Sequence, residues 1–296
     1  MSRGGANEDT LRSYLNLRFK DYEEKYNITP DPTAMLADRF HAIIATAYKQ
    51  TGLRVAVLID EYDSPLQHSL RTPDHEKCTG VYREVFAILK ADDEYEQFVF
   101  ITGITKFTQI SLFSVLNNLT NISFMPEYAA ICGITEEEIE ENFMPELKKM
   151  SEANGWSVQE THDRLKAYYD GYHFSRRNMV DVYNPYSLVN ALKSKEIINF
   201  WASSGATSLL PKFVDNIELR LGNYEKCSVM RNTLELSDVT GGGAELFLYQ
   251  SGYLTIKESD EFGYILGFPN EEVKQALYET VLPCLLYTSD AANDRI

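Results

Sequence analysis

Along the first hundred residues the apolar positions change period in a way that marks out successive elements. Between Asp9 and Tyr26, Leu11, Tyr14, Leu15, Leu17 and Phe19 recur among acids and bases at helical spacing. Pro30-Asp-Pro32 breaks that pattern, and residues 34–50 predict a second helix that ends at Gly52. The character then shifts. Val55-Ala-Val-Leu-Ile59 is an unbroken apolar run, which predicts a strand buried on both faces, as in a parallel sheet. Residues 77–90 predict a helix with Val81, Val85, Ile88 and Leu89 on one side. Phe98-Val-Phe-Ile101 repeats the buried-strand pattern and ends in polar residues. Strand, helix and strand within about fifty residues predict a βαβ unit with parallel strands.

Beyond Pro126, which marks a boundary, the pattern is mostly helical. Thr135 with Glu138 and Ser157 with Glu160 have capping-box spacing, the second opening an amphipathic helix that runs to about Tyr169. Residues 170–172 and 183–186 read as turns, with Asn184 capping a helix to about Lys193. Residues 247–256 and 263–267 alternate like the two strands of a hairpin. The expected fold class is therefore α/β: a parallel sheet with helices over residues 1–124, then a mostly helical, winged-helix-like region over 125–283.

The chemistry concentrates where the first predicted strand ends, at Asp60-Glu61-Tyr62-Asp63, followed by Ser64-Pro65. Open α/β sheets bind ligands at the carboxyl ends of their strands. An apolar strand ending in two acids has the form of a Walker B element. There the first acid, Asp60, is a hard oxygen ligand for Mg²⁺, held through water, and the second, Glu61, positions the water that attacks a phosphate. The plainer alternative is a buried strand that ends in a solvated acidic turn. Thr102, Thr105 and Lys106 leave the second strand at the same edge, where a polar group senses a γ-phosphate or orients water. A Thr-Gly turn with ordinary hydrogen bonds is the alternative there. A nuclease metal cluster of Asp60, Glu61 and Asp63 would need a lysine two residues past the acid, and the segment supplies only Tyr, Asp and Ser.

The complementary phosphate loop, GxxxxGK[ST], does not occur in the 296 residues. Gly241-Gly-Gly243 runs into Ala-Glu-Leu without a lysine and reads as a loop. The chain as it stands is thus expected to bind nucleotide poorly, and to be inactive as an ATPase by itself. Net charge is −16, so the chain has no electrostatic footprint for nucleic acid. The four cysteines lack CxxC spacing and the five histidines form no HExxH or HxH cluster, which argues against a transition-metal site or a disulfide scaffold. Neither a membrane-spanning run nor a signal-peptide pattern is present, so the expected location is the cytoplasm.

Eight segments together resemble the AAA-ATPase-like family of prokaryotic P-loop proteins: 57–63, 100–107, 116–119, 127–135, 169–174, 183–185, 249–255 and 266–270. They run in order over nearly the whole chain. None is decisive alone. The resemblance implies that the sheet over residues 1–124 is an incomplete P-loop (ASCE-type) ATPase core, joined to a helical, winged-helix region and then to a nuclease-superfamily domain of the PD-(D/E)xK type. It implies Asp60 as the Mg²⁺ residue, Glu61 as the water-positioning acid, and Thr102, Thr105 and Lys106 as the sensor segment, with ATP and Mg²⁺ as cofactors. It also implies that this chain is a fragment lacking the family's phosphate loop before Met1 and the nuclease-type domain after residues 269–272. The implied partners are nucleotide and a protein partner or the fused nuclease-type domain. Residues 284–292, Cys-Leu-Leu-Tyr-Thr-Ser-Asp-Ala-Ala, read as the translation of a transposase-type sequencing adapter, so 284–296 are expected to be foreign sequence. A different class remains open: an interaction or signalling module that binds nucleotide without hydrolysis, or does not need it.

Overall fold

The computed structural model describes residues 7–70, 72–104, 118–177, 180–203, 210, 224–236 and 243–280. The chain divides into two compact units, residues 1–120 and 121–296. Thr105, Lys106, Gly241, Gly242 and the 284–296 segment lie outside the described residues.

The first unit opens with α1 (Glu8–Lys25) and α2 (Leu36–Thr51). Asn7 caps α1 by accepting from the Thr10 amide, and Gly52 ends α2 in the left-handed conformation that glycine adopts without strain. Leu11, Leu15, Phe19 and Glu23 form the buried stripe of α1, one residue per turn. Glu23 is only 2% exposed, and Arg39 of α2 grips it with two parallel bonds of 2.6 and 2.8 Å. The same guanidinium lies over the Phe19 ring, which stacks on Phe40 at 5.4 Å. A charge this deep survives only because a planar, bidentate partner replaces the lost water.

The β1 strand (Val55–Ile59) and β2 strand (Glu96–Ile101) pair in parallel, joined through α3 (Ser64–Ser69), α4 (His75–Phe86) and α5 (Ile88–Ala91). The predicted strand–helix–strand unit is thus present, with the crossover helix divided at Ala87. Burial on both faces is not what the strands show. Val57 is buried, whereas Leu58 is 70% and Phe98 53% exposed. The register sets Ala56 beside Phe98 and Leu58 beside Phe100, so these four share a face, on which the two phenyl rings stack at 5.9 Å. Apolar composition alone cannot report which face the helices cover; among the described residues the face bearing Val57 is packed and the face bearing Leu58 and Phe98 is exposed.

The second unit holds α6 (Glu136–Asn142), α7 (Met144–Asn154), α8 (Val158–Tyr169) and α9 (Pro185–Ser194). Both halves of the Thr135–Glu138 capping box form, Ser157 accepts from the Glu160 amide, and Asn184 accepts from that of Ser187. Their shared core includes Ile139, Leu147, Met150, Leu165, Tyr169 and Leu188. Next come β3 (Cys227–Met230), α10 (Arg231–Leu236), α11 (Gly243–Gln250), β4 (Thr255–Ser259), β5 (Gly263–Gly267) and a helix at 271–280. The strands form an antiparallel sheet in the order β3-β5-β4.

The hairpin is present, but its first arm begins at Thr255, since residues 247–250 belong to α11. Ala244, Leu246, Phe247 and Leu248 are buried, and so short an apolar run does not distinguish the two periods. The helix closes when the Tyr253 amide bonds back to the Leu248 carbonyl at 2.8 Å around Gly252, which has φ +83°.

Three of the family-like segments meet here. Asn270 donates to the Asp170 carbonyl at 3.0 Å, and the Lys257 ammonium donates to the carbonyls of Gly171 and Pro269. Thr255 and His173 exchange bonds of 2.7 and 2.9 Å. At Gly171, φ is +100° and a Cβ would lie 2.3 Å from the Pro269 carbonyl oxygen, so a side chain is doubly excluded. These residues hold the turn after α8 against the hairpin.

Candidate functional site

The carboxyl end of β1 is shaped by its pairing with β2 continuing one residue past both strands. The Thr102 amide donates to the Ile59 carbonyl at 2.8 Å, and the Tyr62 amide donates to the Thr102 carbonyl at 3.0 Å. That register puts Asp60 beside Thr102, whose hydroxyl donates to Asp60 Oδ1. Asp60 and Glu61 are exposed at the sheet edge, while Tyr62 and Asp63 turn inward and are buried. Glu61 lies in the left-handed region with φ +54°, a conformation costing an L-residue about 1–2 kcal/mol. The chain reverses tightly there: the Ser64 amide returns to the Glu61 carbonyl at 3.2 Å, and Pro65 occupies the first turn of α3.

Beneath this edge, Asp63 is 1% exposed and its Oδ2 accepts from Gln67 Nε2 at 2.7 Å, one helical turn on. Gly103 closes the floor. A Cβ there would meet Asp63 Oδ1 at 2.6 Å and the Tyr62 ring at 2.7 Å, so the backbone just past β2 runs directly against both side chains. Burial first, and the charge of Asp63 second, push the Tyr82 hydroxyl well above the ordinary tyrosine range.

Two of the sequence-predicted residues, Asp60 and Thr102, are therefore in contact, and Glu61 adjoins them in sequence at the same exposed edge. Thr105 and Lys106 fall outside the described residues. Sequence reasoning missed the supporting role of Asp63, Gln67 and Gly103. The i, i+4 spacing of Asp63 and Gln67 was a readable signal; the approach of Gly103 was not. The edge offers two exposed carboxylates and a hydroxyl, a hard-oxygen set of the kind that suits Mg²⁺ held through water. Among the described residues, no group of three or more His, Cys, Asp or Glu side chains converges on a metal position. Nor, among them, is any helix long and apolar enough to cross a membrane.

The first unit is thus a mixed α/β arrangement with a polar edge at the end of a parallel strand pair, and residues 2–113 match the AAA-ATPase-like family model, described as a predicted AAA-ATPase. The chain is also 32% identical over 261 residues to an uncharacterized protein encoded in the vnfD 5′ region of Azotobacter chroococcum mcd 1. That alignment takes in 86% of this chain and 48% of the relative, so the chain spans about half the relative's length. No solved structure gives a significant match.

Proposed function

We propose that residues 1–124 carry the Walker B half of the nucleotide site of an AAA-like ATPase, within a polypeptide longer than this chain. The observation that carries the reading is the Asp60–Thr102 hydrogen bond across two parallel strand ends, with Glu61 exposed beside it. The family-model match over the same residues supports it. In this reading Asp60 would hold Mg²⁺ through water, and the ion would offset charge on the β- and γ-phosphates of ATP. The Thr102 hydroxyl orients the Asp60 carboxylate and lies where a sensor of the γ-phosphate is needed. Thr105 and Lys106 belong to the same sensor segment. Glu61 accepts a hydrogen bond from the attacking water and aims it in line. The left-handed backbone at Glu61 suits this role, because strained residues persist where geometry matters. The P-loop comes from sequence beyond these 296 residues. Turnover drives motion of a helical, winged-helix-like region over 125–283, coupled to a protein partner or a PD-(D/E)xK-type domain in the longer protein. Residues 284–296 are adapter-derived and take no part.

The test is to sequence the gene on both sides of this reading frame, express the whole of it, and measure Mg²⁺-dependent ATP turnover. Glu61→Gln should lower turnover by at least a hundredfold while nucleotide binding persists, and Asp60→Ala should abolish the Mg²⁺ dependence of binding. Unchanged turnover in Glu61→Gln would remove Glu61 from the chemistry. Nucleotide binding without any turnover would instead favour the interaction or signalling module.

A further inference from the structure

In the second unit, a cavity of about 200 Å³ is lined by three arginines, Arg176, Arg177 and Arg231, together with Glu235, Tyr264 and Phe124. For a chain of net charge −16 this is an unusual concentration of cations. The arginines are not equivalent. Arg231 Nε donates to Glu235 Oε1 at 2.9 Å, and the Tyr264 hydroxyl donates to the same oxygen at 2.5 Å. The carboxylate thereby fixes one guanidinium against the wall of the cavity. Burial alone would raise the Glu235 pKa. The bonds from Tyr264 and Arg231, with the charges of Arg231 and Arg176, outweigh it and hold the group below the ordinary glutamate value. Glu235 thus stays ionised and cancels one positive charge of the three.

Arg176 and Arg177 are another matter. The charge of Arg176 is felt at Glu235, but among the described residues neither Arg176 nor Arg177 forms a direct ion pair with a carboxylate, although acids outnumber bases 44 to 28 in the chain. One ionised carboxylate, Glu235, thus faces three guanidinium groups, which leaves an excess of positive charge at the concavity that an entering anion would offset. One face of the cavity is aromatic and fixed: Phe124 packs on Tyr249 at 6.0 Å and on Tyr264 at 6.1 Å. Ser175 and Asn121 add polar groups to the lining. The lining carries a formal charge of +2, from three arginines less Glu235. The volume is below the roughly 300–1,000 Å³ of pockets for drug-sized ligands, which suits a small group.

We propose that this cavity is a binding site for a phosphate dianion, either free or as the terminal monoester of a small metabolite or mononucleotide. Guanidinium forks match phosphate oxygens two at a time, and a dianion balances the excess charge of the lining. Arg176 and Arg177 make the contacts, Arg231 is held ready by Glu235, and Phe124 with Tyr264 supplies a wall against which an attached ring or alkyl group can rest. The site lies wholly within the second unit and does not depend on the Asp60 edge.

The experiment is isothermal titration of the 296-residue chain with inorganic phosphate, and separately with AMP, at constant ionic strength set by chloride. Wild type should bind phosphate, and Arg176→Gln/Arg177→Gln should weaken binding at least tenfold. Lys226→Gln, which removes an exposed cation from the same unit but outside the cavity, should leave binding unchanged. Because Arg177 is exposed, Arg177→Gln alone keeps the comparison usable should the double variant fold poorly, and it should weaken binding by a smaller factor. AMP binding as tightly as phosphate, or more tightly, identifies the monoester as the ligand form. Phosphate binding with AMP excluded confines the site to the free ion. No binding in wild type at tens of millimolar phosphate, or equal weakening by Lys226→Gln and by the arginine variants, overturns the proposal.

Discussion

Gly103→Ala is the sharpest probe of how the β1 edge is built. The backbone of Gly103 lies outside the left-handed region, so conformational entropy alone would make alanine stabilising there by about 0.4–1 kcal/mol. Sterics reverse that sign. The new Cβ would lie 2.6 Å from Asp63 Oδ1 and 2.7 Å from two carbons of the Tyr62 ring. Asp63 and Tyr62 are 1% and 6% exposed, and Asp63 is tied to Gln67, so neither has room to swing away. Overpacking of this kind costs about 1–3 kcal/mol, which exceeds the entropy gain. Gly80, inside α4, is the matched control. Nothing lies within 4 Å of a Cβ there, so Gly80→Ala should stabilise by about 0.5–1 kcal/mol. Urea unfolding followed by far-UV circular dichroism reads both units. Trp156 and Trp201, the only tryptophans in the chain, lie in the second unit, so their fluorescence reports a region that neither substitution touches. The expected order of stability of the first unit is Gly80→Ala, wild type, Gly103→Ala. A Gly103→Ala midpoint at or above wild type would refute the tight approach of the backbone just past β2 to Asp63 and Tyr62, and with it the support for the Asp60–Thr102 register.

Three further outcomes are expected. Arg39→Ala leaves Glu23 buried without its fork and should cost about 3–5 kcal/mol, whereas Glu23→Met combined with Arg39→Met should fall near wild type; similar urea midpoints for the single and double variants would contradict this. Burial, then the charges of Asp92 and Asp93, push Glu96 up to about 7. A carboxyl with a raised folded pKa contributes stability below its unfolded pKa and loses that contribution as pH rises toward 7. Glu96→Gln should therefore match wild type near pH 4 and exceed it by up to about 3 kcal/mol at pH 8, checked by thermal melts at both values. Gly171→Ala meets both a left-handed backbone and the Pro269 carbonyl, and should destabilise the second unit by more than about 3 kcal/mol, read from Trp201 fluorescence. An unchanged transition there would mean that the turn after α8 is not pressed against the hairpin.

Much of the local structure was legible in the residues because its causes are local. Thr135, Ser157 and Asn184 cap helices because their side-chain oxygens reach amides three residues on, a distance set by sequence spacing. The apolar runs at 55–59 and 98–101 announced strands, and the acids after the first run announced a polar edge. Even so, an apolar run reports burial without direction, which is why Leu58 and Phe98 proved exposed. Residues 247–250, read from their alternation as the start of a hairpin strand, are helical, because so short an apolar run carries either period.

What only the tertiary structure decided depends on approaches between distant residues. Thr102 reaches Asp60 because the parallel register aligns them across 42 positions of sequence. Gly103 must be glycine because Asp63 and Tyr62 fold under it, and Gly171 must be because Pro269 returns from nearly a hundred residues away. The three arginines that share one cavity come from two segments more than fifty residues apart. Sequence by itself determined which elements form and which chemical groups stand at their ends. Three-dimensional packing determined which of those groups meet, because spacing along a chain encodes neighbours only as far as one turn of helix or one strand.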